Sequence, residues 1–245
     1  MKRAFPKHGS IECKNCFPDK RSMRKIGDWQ VLNEPAAWGS SNPEILILGF
    51  SKGATQSGIF KKGKFDDIPF GGQQCRKNLT NILRCVGILD KKESIDNRIK
   101  STEKRFAFGS LVRCSLARYD RKKSAYLTSG VLINKSFSEI PEIIMTCVRR
   151  FLSNIPSKTR LILMLGSSNL YIKNCKKVIR SILLDDFQEV NSVSYGNKDI
   201  LWAHLTHPSP GNGTIKAWLN GEGKPGKKMK EARSIIKTVG LKKRI

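Results

Sequence analysis

The sequence predicts a three-layer α/β/α fold around a mainly parallel central sheet, and three observations carry that expectation. Continuous apolar runs within residues 44–49, 159–165 and 199–206 read as strands buried on both faces, each closing on a glycine or a loop. Between them lie segments whose apolar residues recur at helical spacing. Strand and helix signals alternate along the chain, which is the pattern of βαβ units. No internal repeat and no linker interrupts the 245 residues, so one domain spanning 1–245 is expected.

Residues 1–43 show little periodicity and read as a wrapped arm carrying Cys13 and Cys16. The strand at 44–49 follows and runs into a loop bounded by Gly49 and Gly53. Glycine at a strand's carboxyl end lets backbone approach a ligand, and open α/β sheets place their sites there. Residues 54–72, rich in Gly, Lys and Asp and ending Ile68-Pro-Phe-Gly-Gly72, read as a long loop, functional or mobile. Leu79, Ile82, Leu83 and Val86 mark a helix over 73–86, ended by Gly87. A charged, partly helical stretch occupies 90–104, and a strand over 105–114 ends at Cys114. Residues 115–138 form a polar, basic connection with no clear element, after which Ser138 or a neighbour caps a helix over 139–152. Ile143, Ile144, Cys147 and Phe151 share its apolar face. The strand at 159–165 closes at Gly166, and a helix over 168–184 follows with Leu170, Ile172, Val178, Ile179 and Ile182 as its face. A further strand fits 189–196, then the strand at 199–206 leads into His207-Pro-Ser-Pro-Gly211. The basic tail 221–245 holds one more helix over 227–239.

The chain carries 46 Lys+Arg against 20 Asp+Glu, a net charge of +26. An excess of this size is relieved by a polyanion, so DNA or another nucleic acid is the expected partner, ahead of an anionic membrane surface. No run of about 18 apolar residues is present, which argues against a membrane span. The first residues lack the apolar segment of a signal peptide, so a cytoplasmic, DNA-associated monomer is expected. In that compartment seven cysteines read as metal ligands or core residues rather than disulfides.

Gly49-Phe-Ser-Lys-Gly53 resembles the first motif of the uracil-DNA glycosylase superfamily, a glycine-bounded loop that positions the hydrolytic water. His207-Pro-Ser-Pro-Gly211 resembles its second motif, which grips the flipped nucleotide, and Pro69-Phe-Gly-Gly72 resembles the segment whose ring stacks on the base. The resemblance implies catalytic roles for His207 and Ser51. It implies substrate contacts by Gly49, Phe50, Gly53, Phe70, Ser110, Pro208 and Ser209. The order of Cys13, Cys16, Cys114 and Cys147 is similar to the ligand set of the superfamily's iron–sulfur branch, with a long last interval. It implies a 4Fe-4S cluster, with zinc at the same cysteines as the alternative. The chemistry has its own logic: the base is extruded, then leaves as an anion that a histidine N–H stabilises. His204 reads as structural and His8 as exposed.

Two positions depart from the superfamily pattern. Ser51 and Ala54 stand where an acid or amide near the third or sixth position aims at the water. Gln56, Asp66 and Asp67 are the substitutes at hand. Ser110 stands where an asparagine reads uracil. Smaller groups at both places imply a bulkier modified pyrimidine as substrate, of the kind found in phage DNA, and hence antiviral defence. Plain uracil excision and a non-catalytic base reader are the alternatives. Ile215, Trp218 and Leu219 are candidates to wedge into the duplex, and Lys216, Lys224, Lys227, Lys228 and Lys230 to touch phosphates. Lys52 reads as a surface or phosphate-binding lysine, with attack on the sugar as its rarer use.

Overall fold

The computed structural model describes residues 4–17, 21–128, 130–183 and 186–241. The arm supplies β1 (Gly9–Ser10), β2 (Met23–Ile26), β3 (Trp29–Leu32) and β4 (Ala36–Gly39), and β5 (Ile45–Gly49) follows. Next come α1 (Ala54–Lys62), α2 (Gln73–Cys85), β6 (Phe106–Ser110), β7 (Ser115–Asp120), β8 (Ala125–Leu127), α3 (Gly130–Glu139) and α4 (Pro141–Leu152). The last third holds β9 (Leu161–Leu165), α5 (Asn169–Leu183), β10 (Gln188–Asn191), β11 (Ser194–Gly196), β12 (Leu201–Leu205), α6 (Ile215–Asn220) and α7 (Gly223–Thr238).

Eight strands form one sheet in the order β1-β4-β6-β5-β9-β12-β11-β10. Its centre, β6-β5-β9-β12, is parallel, while every pairing outside that centre is antiparallel. The expected α/β class is present, but parallel pairing is confined to the middle. The reason is local: β1 and β4 come from the arm folding back beside β6, and a tight turn joins β10 to β11. The arm is therefore not merely wrapped around the core. A second, antiparallel sheet runs β2-β3-β7-β8. It absorbs much of the segment 115–138 that the sequence leaves without an element.

Side chains of the central strands alternate between two apolar clusters, as a pleated strand requires. Leu46, Leu48, Ile162 and Met164 face the cluster that takes in α4 and much of α5. Ile45, Ile47, Leu161, Leu163 and Leu165 face the cluster that takes in α2, Trp218 of α6 and Met229, Ala232 and Ile236 of α7.

Several boundaries differ from expectation. Residues 54–62 are helical although they read as a loop: Ile59 and Phe60 of α1 pack partly buried against the core, and Ser57, its one fully buried residue, adds a polar anchor. Its hydroxyl donates to the Glu34 carboxylate at 2.8 Å. The strand ending at Cys114 stops at Ser110, leaving Cys114 in a bend. Pro141, not a Ser138 cap, starts α4 after Ile140. The expected helix end at Leu184 lies outside the described residues. Among the described residues, no helix is long and apolar enough to cross a membrane.

Candidate functional site

The four parallel strands deliver their carboxyl ends to one edge of the sheet. Gly49 pairs with Ser110 there, and β9 and β12 end alongside at Leu165 and Leu205. The loops that follow, 50–53, 111–114, 166–168 and 206–214, make up the candidate site, where such sheets place ligands. With strands about 4.8 Å apart, the ends of β5 and β12 stand roughly 10 Å from each other across β9, a span suited to one nucleotide.

The first loop is stitched to its neighbour. The amides of Leu111 and Val112 donate to the carbonyls of Gly49 at 2.9 Å and Phe50 at 2.8 Å. Lys52 bridges to Ser115, and its Nζ donates to the carbonyl of Arg113. Ser51 is thereby held half-buried between two anchored residues. The Phe50 ring does not face this edge. It packs in the core, 5.3 Å from the Phe137 ring and 6.2 Å from that of Tyr171. Lys52 is buried to 2% exposure, contrary to its reading as a surface lysine.

Phe70 holds a backbone φ of 55°, and its ring meets Phe108 of β6 edge-on at 6.1 Å. A bulky residue in the left-handed region is strained, and such strain collects at functional sites. Gln56 ties this segment to the first loop: its Oε1 accepts from the Gly53 amide at 3.3 Å and its Nε2 donates to the Ile68 carbonyl at 3.0 Å. All three expected substitutes for a water-activating group have polar neighbours. Gln56 bridges two loops, Asp66 pairs with His8 at 2.9 Å, and Asp67 lies 4.0 Å from Arg76. His8 is accordingly not exposed: its Nδ1 accepts from the Gly39 amide at 3.2 Å.

On the second loop, the Ser209 amide donates to Nδ1 of His207 at 3.2 Å. The neutral ring must then carry its proton on Nε2. His207 is exposed, and partial desolvation by the surrounding protein atoms lowers its pKa from the usual 6.5. Asn212 organises the loop, donating to Thr206 Oγ1 at 2.9 Å and to the His207 carbonyl at 2.6 Å. Asn78 of α2 donates to the carbonyl of buried Pro208 at 3.0 Å. Neither asparagine stands out in the sequence, because amides that hold loops carry no spacing signal. His204 is structural: Nδ1 donates to the Gly166 carbonyl at 2.8 Å and Nε2 accepts from the Tyr195 hydroxyl at 3.0 Å. Burial pushes its pKa down to about 4.

Between α2 and α6 an open groove of about 540 Å³ is lined by Gln74, Asn78, Asn212, Ile215 and Lys216 among others. Trp218 is fully buried and cannot act as a wedge, whereas Ile215 is half-buried beside the groove. Lys216, Lys224, Lys227 and Lys230 are exposed. Lys228 is not free for phosphate, since its Nζ donates to the Ser167 carbonyl and to Asn169 Oδ1.

Cys13, Cys16, Cys114 and Cys147 line one small cavity of about 10 Å³, together with Arg113, Arg150 and Phe151. The arm is tied down beside it: Arg150 donates to Asn15 Oδ1 at 3.0 Å and Arg24 to the Cys16 carbonyl at 3.1 Å. Burial pushes the Cys114 thiol up to about 12 and that of Cys147 up to about 11. No carboxylate or imidazole lines the cavity. Arg113 Nη1, at its wall, is buried with no hydrogen-bond partner. The donors are all sulfur, the soft ligand type of thiolate-bound metals, but the four thiols are not drawn together as a ligand set in this structure. Among the described residues, no three His, Cys, Asp or Glu side chains are arranged to hold a metal ion.

No family model and no curated protein matches the chain. Among solved structures, the chain is similar to wild-type Pedobacter heparinus SMUG2, with a TM-score of 0.46 and 14% identity over 83% of this chain and 78% of that one. That likeness is too distant to assign a role to any residue.

Proposed function

We propose that the protein is a DNA glycosylase that hydrolyses the N-glycosidic bond of a flipped-out base. The observation that carries this reading is the proton placement on His207. A neutral imidazole whose Nδ1 is occupied by the Ser209 amide offers only Nε2–H to the site. In the reaction, the bond from the sugar carbon to the base nitrogen breaks with its electron pair on the base. The Nε2–H group donates a hydrogen bond to the base oxygen where that negative charge develops, and the neutral ring keeps its proton. Ser51, across β9 from His207, orients the water whose oxygen bonds to the cation-like sugar carbon. The water proton leaves to solvent or to the departing base. The net charge of +26 supports DNA as the partner, through phosphate contacts by exposed lysines such as Lys216 and Lys224.

The substrate in this reading is a bulky modified pyrimidine, as in phage genomes, rather than plain uracil, and the role is defence. Two small hydroxyl side chains, Ser51 and Ser110, stand at the adjoining ends of β5 and β6, where larger polar groups would narrow the pocket and read uracil. The four cysteines hold an iron–sulfur cluster, or zinc, that clamps the arm to the bend 111–114 and to α4. When bound, that group supplies structural cross-linking and takes no part in bond cleavage. The test is base release by mass spectrometry, from uracil-containing DNA and from phage DNA with modified cytosines or thymines. Release of a modified base without uracil is the expected result. Free uracil would make this a repair enzyme, and no release from either would leave a base reader without catalysis.

A further inference from the structure

Two cations are buried where buried cations are expensive. Lys52 and Arg113 are each 2% exposed. Removing an ammonium or guanidinium from water costs several kcal/mol unless opposite charge meets it. The counter-charge in view is small. Lys52 Nζ donates to the Arg113 carbonyl, a dipole rather than a charge. The nearby Glu34 carboxylate is shared with hydroxyls, accepting from Ser57 at 2.8 Å and from Ser115 at 2.6 Å. The Arg113 guanidinium lies over the Phe151 ring at 5.3 Å, and its Nη1 has no hydrogen-bond partner. It also occupies the space that a Cβ on Gly109 would need, so this strand position has no side chain to displace it.

Both cations share one neighbourhood, the four-thiol cavity. Arg113 lines it, and Lys52 Nζ reaches the carbonyl of Arg113, the residue next to Cys114. Four neutral thiols leave the two cations in surplus over Glu34. Four thiolates around a metal centre carry net negative charge and remove that surplus. Lys52 also lies between Ser51 and Gly53, so whatever holds Lys52 holds the loop that carries Ser51.

We propose that Lys52 and Arg113 are the built-in counter-ions of the thiolate-bound centre, and that Lys52 thereby fixes the Ser51 loop relative to that centre. This rests on the reading that Cys13, Cys16, Cys114 and Cys147 hold a metal. The two are positioning residues, acting by charge.

The experiment uses the purified, metal-loaded full chain. Metal content is measured first, then the rate of metal loss to excess chelator and, for iron, the reduction potential. Neutral replacements Lys52→Met and Arg113→Gln should lose metal on the order of tenfold faster and shift the potential negative. Charge-keeping replacements Lys52→Arg and Arg113→Lys should return both readouts toward wild type. Equal retention by neutral variants, or equal loss from neutral and charge-keeping ones, overturns the counter-ion role while leaving the metal site intact. Glu34→Gln carries the test if a neutral variant does not fold. It removes the opposing charge, so metal loss should slow and the potential rise, and movement the other way overturns the proposal. A wild-type chain with no bound metal overturns the metal reading, and the counter-ion role with it.

Discussion

The backbone amide of Ser209 reaches back 3.2 Å to Nδ1 of His207, and that single contact determines which ring nitrogen can donate to a substrate. Replacing His207 with alanine should lower base release about 10²–10⁴-fold, the range for a lost proton-positioning group. DNA affinity should change only a few-fold, because the exposed lysines proposed to meet phosphate lie elsewhere. Single-turnover release and a binding titration on the same variant separate the two. Equal loss of binding and release would place His207 in recognition instead.

Only the neutral His207 ring can accept the Ser209 amide at Nδ1, so protonation breaks the contact that orients the ring and activity should fall on the acid side. Desolvation lowers the pKa, and the acid limb of kcat/KM should therefore lie below the ordinary histidine value of 6.5. A limb above that value would mean that another group controls the rate.

Ser51→Asp combined with Ser110→Asn restores larger polar groups at both strand ends. Free uracil should rise at least about tenfold while release of a bulky modified base falls. Mass spectrometry of both reactions on the double variant checks this, and unchanged selectivity would remove pocket size as the determinant.

Lys52 should form no covalent adduct with DNA. Its amine is buried and held by the Arg113 carbonyl, so it cannot reach a sugar carbon. Borohydride trapping during turnover should give no cross-linked product that depends on Lys52.

His204 sets a stability limit in acid. The ring is buried with a pKa of about 4, against 6.5 when unfolded. Above pH 6.5 both states are neutral and the ring adds no pH dependence. Between pH 6.5 and 4 only the unfolded chain takes the proton, so stability falls by about 1.4 kcal/mol per pH unit, roughly 3 kcal/mol in all. Denaturant titrations across that window should show the slope, and His204→Gln should flatten it.

The central strands are legible in sequence because β5 and β9 are buried on both faces, which makes them continuous apolar runs. The two histidines near the end of β12 are separable for the same reason. His204 lies inside a buried run, while His207 follows it in a Pro-rich loop. What sequence conceals is set by tertiary anchoring. Helix α1 offers only a short apolar contact through Ile59 and Phe60 and is pinned further by Ser57 and Gln56. Phe50 reads as a site residue from its motif position, but it points at Phe137 and Tyr171. A lysine between serine and glycine reads as solvent-exposed, and only the fold shows that Lys52 is sealed beside the cysteines. The parallel expectation extended too far because alternation of strand and helix says nothing about where an arm returns.

The two borders of the eight-stranded sheet bear on how the protein behaves at high concentration. One border is β1, two residues long. The other is β10, whose pairing with β11 slips between Glu189 and Asn191 and whose Glu189 carries an ion pair to Lys176 at 2.6 Å. An incoming strand needs a run of free, evenly spaced backbone groups, and neither border offers one. A sheet this wide would otherwise be a template for fibrillar growth. Here both borders of the eight-stranded sheet oppose strand-by-strand extension from one molecule to the next.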